Sequence, residues 1–296
     1  MKTYNDVYIQ TRKKLKAEGI EAFGLEARLI ASAAAGKTKE EFLRDMNLYT
    51  NSDYEQKVSD MIDARLTGEP IAYVTGEWEF YGLPMVVNRD VLIPRIDTEV
   101  LAEKAIDKLQ TMKGRRVLDL CSGSGCIGIT LAVNVPDSKV ILVDNSLKAM
   151  RVARQNVLRN NVTRSVTCVD ADATQTPPML LGRFDMIVSN PPYIPTEDIF
   201  GLDPSVRDNE PKEALDGGKD GLDFYRSITE KWKSLLKKDG CLMFEVGIGQ
   251  AEDVRRIMEE NGFEDIRVYK DTLEIERVVS GTIRAVDEDY TTDISF

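Results

Sequence analysis

Histidine is absent from this chain of 296 residues. Its absence removes the commonest general base and the commonest metal ligand together. The four cysteines, Cys121, Cys126, Cys168 and Cys241, form no C-x-x-C pair, so no zinc site and no other metal is expected. Each lies in or beside an apolar run and reads as a small buried hydrophobe kept reduced. No apolar stretch is long enough to span a bilayer, and the opening "MKTYNDVYIQTRKKLKAEG" has no apolar core of the kind a secretory signal carries. A cytoplasmic location with no membrane attachment is the resulting expectation. Clustered basic residues are scarce as well. Net charge is −11, and the Arg12, Lys13, Lys14 run reads as a solvated helix face. Nucleic-acid binders usually show a basic patch, so no direct nucleic-acid contact is expected, and a monomer is the default. What is present in quantity is ordinary: 42% hydrophobic and 30% charged residues, as in folded globular proteins.

The chain changes texture twice. Residues 1–75 read as helices. "TKEEFL" places Thr38 three residues before Glu41, a capping-box spacing, and "SDYEQKVSDMIDARL" repeats it with Ser52 and Glu55. "GLEARLIASAAAG" between them is alanine-rich and stops at Gly36. Residues 76–93 sit in "AYVTGEWEFYGLPMVVNRDVLI", which is rich in β-branched and aromatic residues and broken by Gly76, Gly82 and Pro84. It reads as one or two β-hairpins linking two domains. Residues 94–281 then alternate. A helix is expected from near Asp97 or Thr98. Strand-like runs follow at 116–121, 139–145, 165–171, 184–190 and 241–247, mostly separated by helical stretches. That alternation predicts an α/β fold with a parallel sheet covered on both faces. "FEDIRVYKD" and "IERVVSG" read as an antiparallel hairpin at its edge, and residues 282–296 as a loose acidic tail.

Two motifs carry chemistry. "DLCSGSGCIG" follows the first strand of the alternating region and opens a helix, where glycines permit close backbone approach and free N–H groups supply positive potential. Asp144 ends the next strand, nineteen residues after Gly125, where a carboxylate can accept both hydroxyls of a ribose. Gly123, Gly125 and Gly128 also match G-x-G-x-x-G. The loop therefore specifies an adenosine-containing ligand without choosing between NAD and S-adenosylmethionine.

"SNPPYIP" ends the fourth strand of this region. Prolines cannot continue a central ladder. Ligands in such sheets bind beyond the carboxyl ends of the strands, so Asn190 should face the ligand of the glycine loop. The Asn190 side chain offers a carbonyl acceptor, Pro191 fixes its own carbonyl in one direction, and Tyr193 adds a flat face. Two convergent acceptors and a platform clamp a planar –NH2 group. Accepting both protons directs the nitrogen at an electrophile, without any histidine base. The sulfonium methyl of S-adenosylmethionine is the natural electrophile.

"NPPY" resembles the signature of amino-methyltransferases that act on adenine N6, guanine N2 or glutamine N5. "VLIPRIDTE" (91–99), "EPKEALDGGKDGLDFYRSI" (210–228), "EVGIGQ" (245–250) and "YKDTLEIERVV" (269–279) resemble the bacterial release-factor glutamine methyltransferases. That resemblance implies a helical N-terminal substrate-recognition domain, a hairpin linker and a seven-stranded, Rossmann-like class I methyltransferase domain. It implies methyl transfer from S-adenosylmethionine, leaving S-adenosylhomocysteine, to the glutamine of the Gly-Gly-Gln motif in class 1 release factors. Asn190, Pro191, Pro192 and Tyr193 would form the catalytic loop. Cys121, Ser122, Gly123, Ser124, Gly125 and Asp144 would hold the cofactor, with Asp172 and Ala173 beside the adenine and Arg95, Thr98 and Asn190 near by. Three departures stand out: Cys121 and Glu274 occupy positions where the family usually has glycine, and Ala173 one where some members have an aromatic.

Other readings separate on simple grounds. A nucleic-acid amino-methyltransferase shares the clamp but lacks basic surface here. An NAD-dependent oxidoreductase leaves "NPPY" unexplained. A silent release-factor-binding module has no need of the complete Asn190–Tyr193 set.

Overall fold

A computed structural model describes residues 1–284. Two compact units divide them, and the first is discontinuous in sequence: Met1–Trp78 together with Asp203–Asn209.

The first unit contains α1 (Tyr4–Ala17), α2 (Phe23–Ala34), α3 (Lys39–Arg44), α4 (Ser52–Leu66) and α5 (Ile71–Thr75). Val7, Leu15, Ala27, Ile30, Tyr54, Val58 and Ile62 form its apolar core. The Thr38/Glu41 capping box is present, and a second at Thr3/Asp6 starts α1. The expected Ser52/Glu55 box is not. Asn51 caps α4 instead, its Oδ1 accepting from the Tyr54 N–H at 2.9 Å, and Glu55 pairs with Lys2. An asparagine one residue upstream is an equally good cap and takes the position. The apolar "IAYVT", the last stretch of the residues read as helical, is the short helix α5, stopped by Gly76 at φ +73°. One hairpin follows, β1 (Glu77–Phe80) with β2 (Leu83–Val86).

The second unit begins with α6 (Thr98–Thr111) and β3 (Arg116–Leu120), then α7 (Cys126–Asn134), β4 (Lys139–Asp144), α8 (Leu147–Arg159), β5 (Val166–Asp170) and β6 (Phe184–Ser189). The single-turn helix α9 (Pro204–Arg207) belongs to the first unit. The chain continues through α10 (Asp223–Lys231), β7 (Leu236–Glu245), α11 (Ala251–Glu260), β8 (Phe263–Lys270) and β9 (Glu276–Ile283). Seven strands form one sheet in the order β5-β4-β3-β6-β7-β9-β8. β5, β4, β3, β6 and β7 run parallel, and β9 lies antiparallel between β7 and β8. β6 is buried at every position, as a strand covered on both faces must be. Helix α11 buries Ala251, Val254 and Met258 at i, i+3 and i+7, a sparse stripe within a charge-rich stretch that the sequence reading passed over. β9 runs to Ile283 and so takes in the first two residues of the expected 282–296 tail, which from residue 285 lies outside the described residues.

Candidate active site

The chain leaves β3 for β4 and β5 on one side and returns to β6 on the other, so the strand order reverses beside β3. Such a reversal opens a crevice at the carboxyl ends of the strands. Leu120 pairs with Val143 and with Ser189, and Ser189 pairs with Phe244. One residue further along each strand, Cys121, Asp144, Asn190 and Glu245 come side by side.

The glycine loop is tied to the neighbouring strand end. The Ser122 N–H donates to the Val143 carbonyl at 3.0 Å and the Gly123 N–H to Asp144 Oδ2 at 2.9 Å. Asp144 Oδ1 accepts from the Ser146 N–H at 2.9 Å. Burial raises the Asp144 carboxyl above its ordinary value, and these N–H bonds pull it part of the way back. Gly128 is glycine for space: a Cβ there would lie 2.3 Å from Leu142 Cδ2, so α7 could not pack on β4. The two expected departures from glycine have one physical meaning. Cys121 sits at φ +56° and Glu274 at φ +62°, both in the left-handed region that favours glycine.

At the β6 tip, the Asn190 Nδ2 donates to Thr98 Oγ1, at the start of α6, at 3.2 Å. Among the described residues nothing donates to the Pro191 carbonyl. A cradle holds the loop that follows. The Tyr193 carbonyl accepts from Gln250 Nε2 at 2.9 Å, and the Ile194 N–H donates to the Leu215 carbonyl at 3.0 Å. A Cβ at Gly221 would lie 2.2 Å from the Tyr193 carbonyl oxygen and one at Gly217 2.7 Å from the Tyr193 Cα, which accounts for two of the three glycines of "DGGKDG".

One cleft joins these features. Residues 121–124, Asp144 and Ala173 line it on one side, and Asn190, Pro192, Arg95 and Thr98 on the other. Gly125, Asp172, Pro191 and Tyr193 do not. Gly125 is the left-handed cap of α7. Asp172 turns its Oδ1 back to the Thr174 N–H and hydroxyl at 2.8 and 2.7 Å. Tyr193 is half-buried against the main apolar cluster, and burial raises its phenol.

Four functional-looking polar residues escaped the sequence reading. Buried Glu210 pairs with Arg95 and accepts from the Ile93 N–H at 3.1 Å, fixing the segment before α6. Glu245 ends β7, and burial pushes its carboxyl up to about 7. Gln250 bonds the Tyr193 loop, and Asn156 on α8 reaches the Ser124 carbonyl at 2.9 Å. For Glu210 and Glu245 a signal existed: each is an acid inside a stretch already singled out by resemblance, and Glu245 closes the apolar run "CLMF".

A seven-stranded sheet with its glycine loop, its acid on the next strand and Asn-Pro-Pro-Tyr at the reversal defines a methyltransferase domain. A family model described as "Methyltransferase small domain" matches residues 96–200, and one described as "PrmC N-terminal domain" matches residues 6–76. The chain is 40% identical over 287 residues to a release factor glutamine methyltransferase of Geobacter sulfurreducens, covering 95% of this chain and 97% of that one. A release factor glutamine methyltransferase of Clostridium acetobutylicum is 36% identical over 280 residues, 93% of this chain and 96% of that one. A methyltransferase structure from Pyrococcus furiosus shares the fold at 17% identity and a TM-score of 0.51, over 77% of this chain and 100% of that one. The chain belongs to the release factor glutamine methyltransferase family.

Proposed function

We propose that this protein transfers a methyl group from S-adenosylmethionine to the side-chain N5 of the glutamine in the Gly-Gly-Gln motif of class 1 release factors, in the cytoplasm. The observation that carries the reading is the adjacency of Asn190 and Asp144 in one cleft, flanking the glycine loop.

The residues fit the cofactor. Each Asp144 oxygen takes one backbone N–H and keeps lone pairs for a ribose diol. The Ser122 hydroxyl is buried in the cleft wall with no hydrogen-bond partner, a polar group suited to a polar ligand. When bound, S-adenosylmethionine supplies an electrophilic methyl group on a sulfonium.

The chain's own residues then act on the glutamine. Asn190 Oδ1 and the Pro191 carbonyl accept the two amide protons, which orients the nitrogen and raises its electron density. As the N–C bond forms, the methyl–sulfur bond breaks, S-adenosylhomocysteine is left, and one of those protons passes by way of its acceptor to solvent. Orientation by a rigid loop supplies several kcal/mol of the barrier. Asn190 and Pro191 do this from a tip anchored on both sides, by Thr98 and by the Gln250 bond to Tyr193.

The test incubates the protein with methyl-labelled S-adenosylmethionine and a class 1 release factor, with a Gln→Ala variant of the Gly-Gly-Gln motif as control. Label is expected on the first release factor and not on the control. Label on both, or on neither, would overturn the substrate assignment, and label on nucleic acid would favour a nucleobase amine instead.

A further inference from the structure

The row of strand ends contains one more carboxylate than the chemistry above uses. Glu245 stands beside Asn190 and is 3% exposed. Asn190 and Thr98 line the cleft, whereas Glu245 does not and lies behind them. Thr98 and Asn190 lie near enough to its carboxylate to favour the charged form, as does the Arg277 cation, while Asp97 opposes it. Its Oε2 is buried and accepts no hydrogen bond.

Once ionised, as the pH rises above about 7, this carboxylate accepts and never donates. The end of the Asn190 amide that Glu245 attracts is therefore its NH2, which also donates to Thr98 Oγ1. With the NH2 end turned toward Thr98 on the side of Glu245, the carbonyl oxygen is the atom left for the cleft that Asn190 lines. A primary amide turned by half a revolution has the same shape and presents donors instead. Those donors would meet the hydrogens of a substrate –NH2.

We infer that Glu245 is a positioning residue: it fixes the orientation of the Asn190 amide so that Oδ1, not Nδ2, faces the substrate nitrogen. The inference rests on the methyltransferase reading of the cleft. It adds that the clamp is set from behind by a residue that never touches the substrate.

A substitution cycle tests it. The parent, Asn190→Asp, Glu245→Gln and the double variant are compared for labelling of a release factor, for S-adenosylhomocysteine affinity and for thermal midpoint. Asn190→Asp sets two carboxylates against each other and is expected to lose about 100-fold in kcat, with a lowered midpoint and S-adenosylhomocysteine affinity within about threefold of the parent. Adding Glu245→Gln supplies a donor to the new carboxylate, leaving its second oxygen for the substrate. It is expected to restore kcat by about tenfold or more and to recover the midpoint. A double variant that folds, binds S-adenosylhomocysteine and remains as inactive as Asn190→Asp would overturn the inference. So would a midpoint with no coupling between the two sites, or a double variant that fails to fold while Glu245→Gln folds. A parent that labels no release factor fails the proposed function instead, and the midpoint cycle still decides the contact.

Discussion

Burial, more than any neighbour, governs Asp119. It lies within β3 with no exposure, its Oδ2 accepts the Gly128 N–H at 2.8 Å, and its Oδ1 accepts nothing. Burial pushes its carboxyl from 3.8 up to about 7, with the Asp144 charge adding to the rise. A folded-state value above the unfolded one means that folding takes up a proton. The stability this group contributes is complete below about 4 and is lost as the pH rises through about 7. Asp119→Asn abolishes the titration at nearly constant shape. Its unfolding free energy relative to the parent should therefore shift in its favour by roughly 1.4 kcal/mol per pH unit at most between pH 4 and 7. Urea unfolding at pH 5 and pH 8 checks this, and a difference that does not change with pH would refute it. The same burial pushes the Cys126 and Cys241 thiols up to about 12, so both stay protonated and act as hydrophobes.

Between elements, Asn156 is the main polar fastening behind the glycine loop. From α8 its Nδ2 donates to the Ser124 carbonyl at 2.9 Å and to the Val86 carbonyl at 3.0 Å, and its Oδ1 accepts the Val86 N–H at 2.6 Å. One side chain with no exposure thus joins β2, α8 and the loop that leads into α7. Asn156→Ala leaves three backbone groups without their partner and is expected to cost about 2–4 kcal/mol. It should also weaken S-adenosylhomocysteine binding more than a destabilised variant with an intact loop, such as Ile62→Val, does. Thermal unfolding and titration calorimetry on both variants measure this; equal affinities would remove Asn156 from the loop's support. At this scale the sequence was readable where a local rule decides. Strand runs and the helix after the glycine loop follow from periodicity, and the β3–β6 adjacency from the switch-point rule. It was not readable where partners are distant. Asn156 lies 70 residues from Val86, and Glu245 has an acid's identity but no pattern to tell a buried position from a solvated one. The left-handed φ at Cys121 was visible only as a mismatch with a family glycine. What that mismatch costs is a matter of backbone conformation.

At the scale of the whole chain, no helix among the described residues is long and apolar enough to cross a membrane. No group of three or more Cys, Asp or Glu residues among them could hold a metal ion. The discontinuous first unit yields the prediction proper to this scale. The Asn209 Nδ2 donates to the Gly68 carbonyl at 3.5 Å, and the segment Asp203–Asn209 clusters with Met1–Trp78. Residues 1–78 joined by a short Gly/Ser linker to residues 203–209 should therefore melt above residues 1–78 alone. The expected rise is about 4–8 °C for each kcal/mol the segment contributes in a domain of this size. Circular dichroism gives both midpoints, and equal values would detach the segment from the unit.

That same discontinuity sets an order of events during synthesis. The 124 residues between Trp78 and Asp203 must be made before the last piece of the first unit exists. At ribosomal speed that is a wait of roughly 6 to 25 seconds. The amino-terminal helices leave the ribosome first and yet are completed late, after β3 to β6 and the "NPPY" turn have been made.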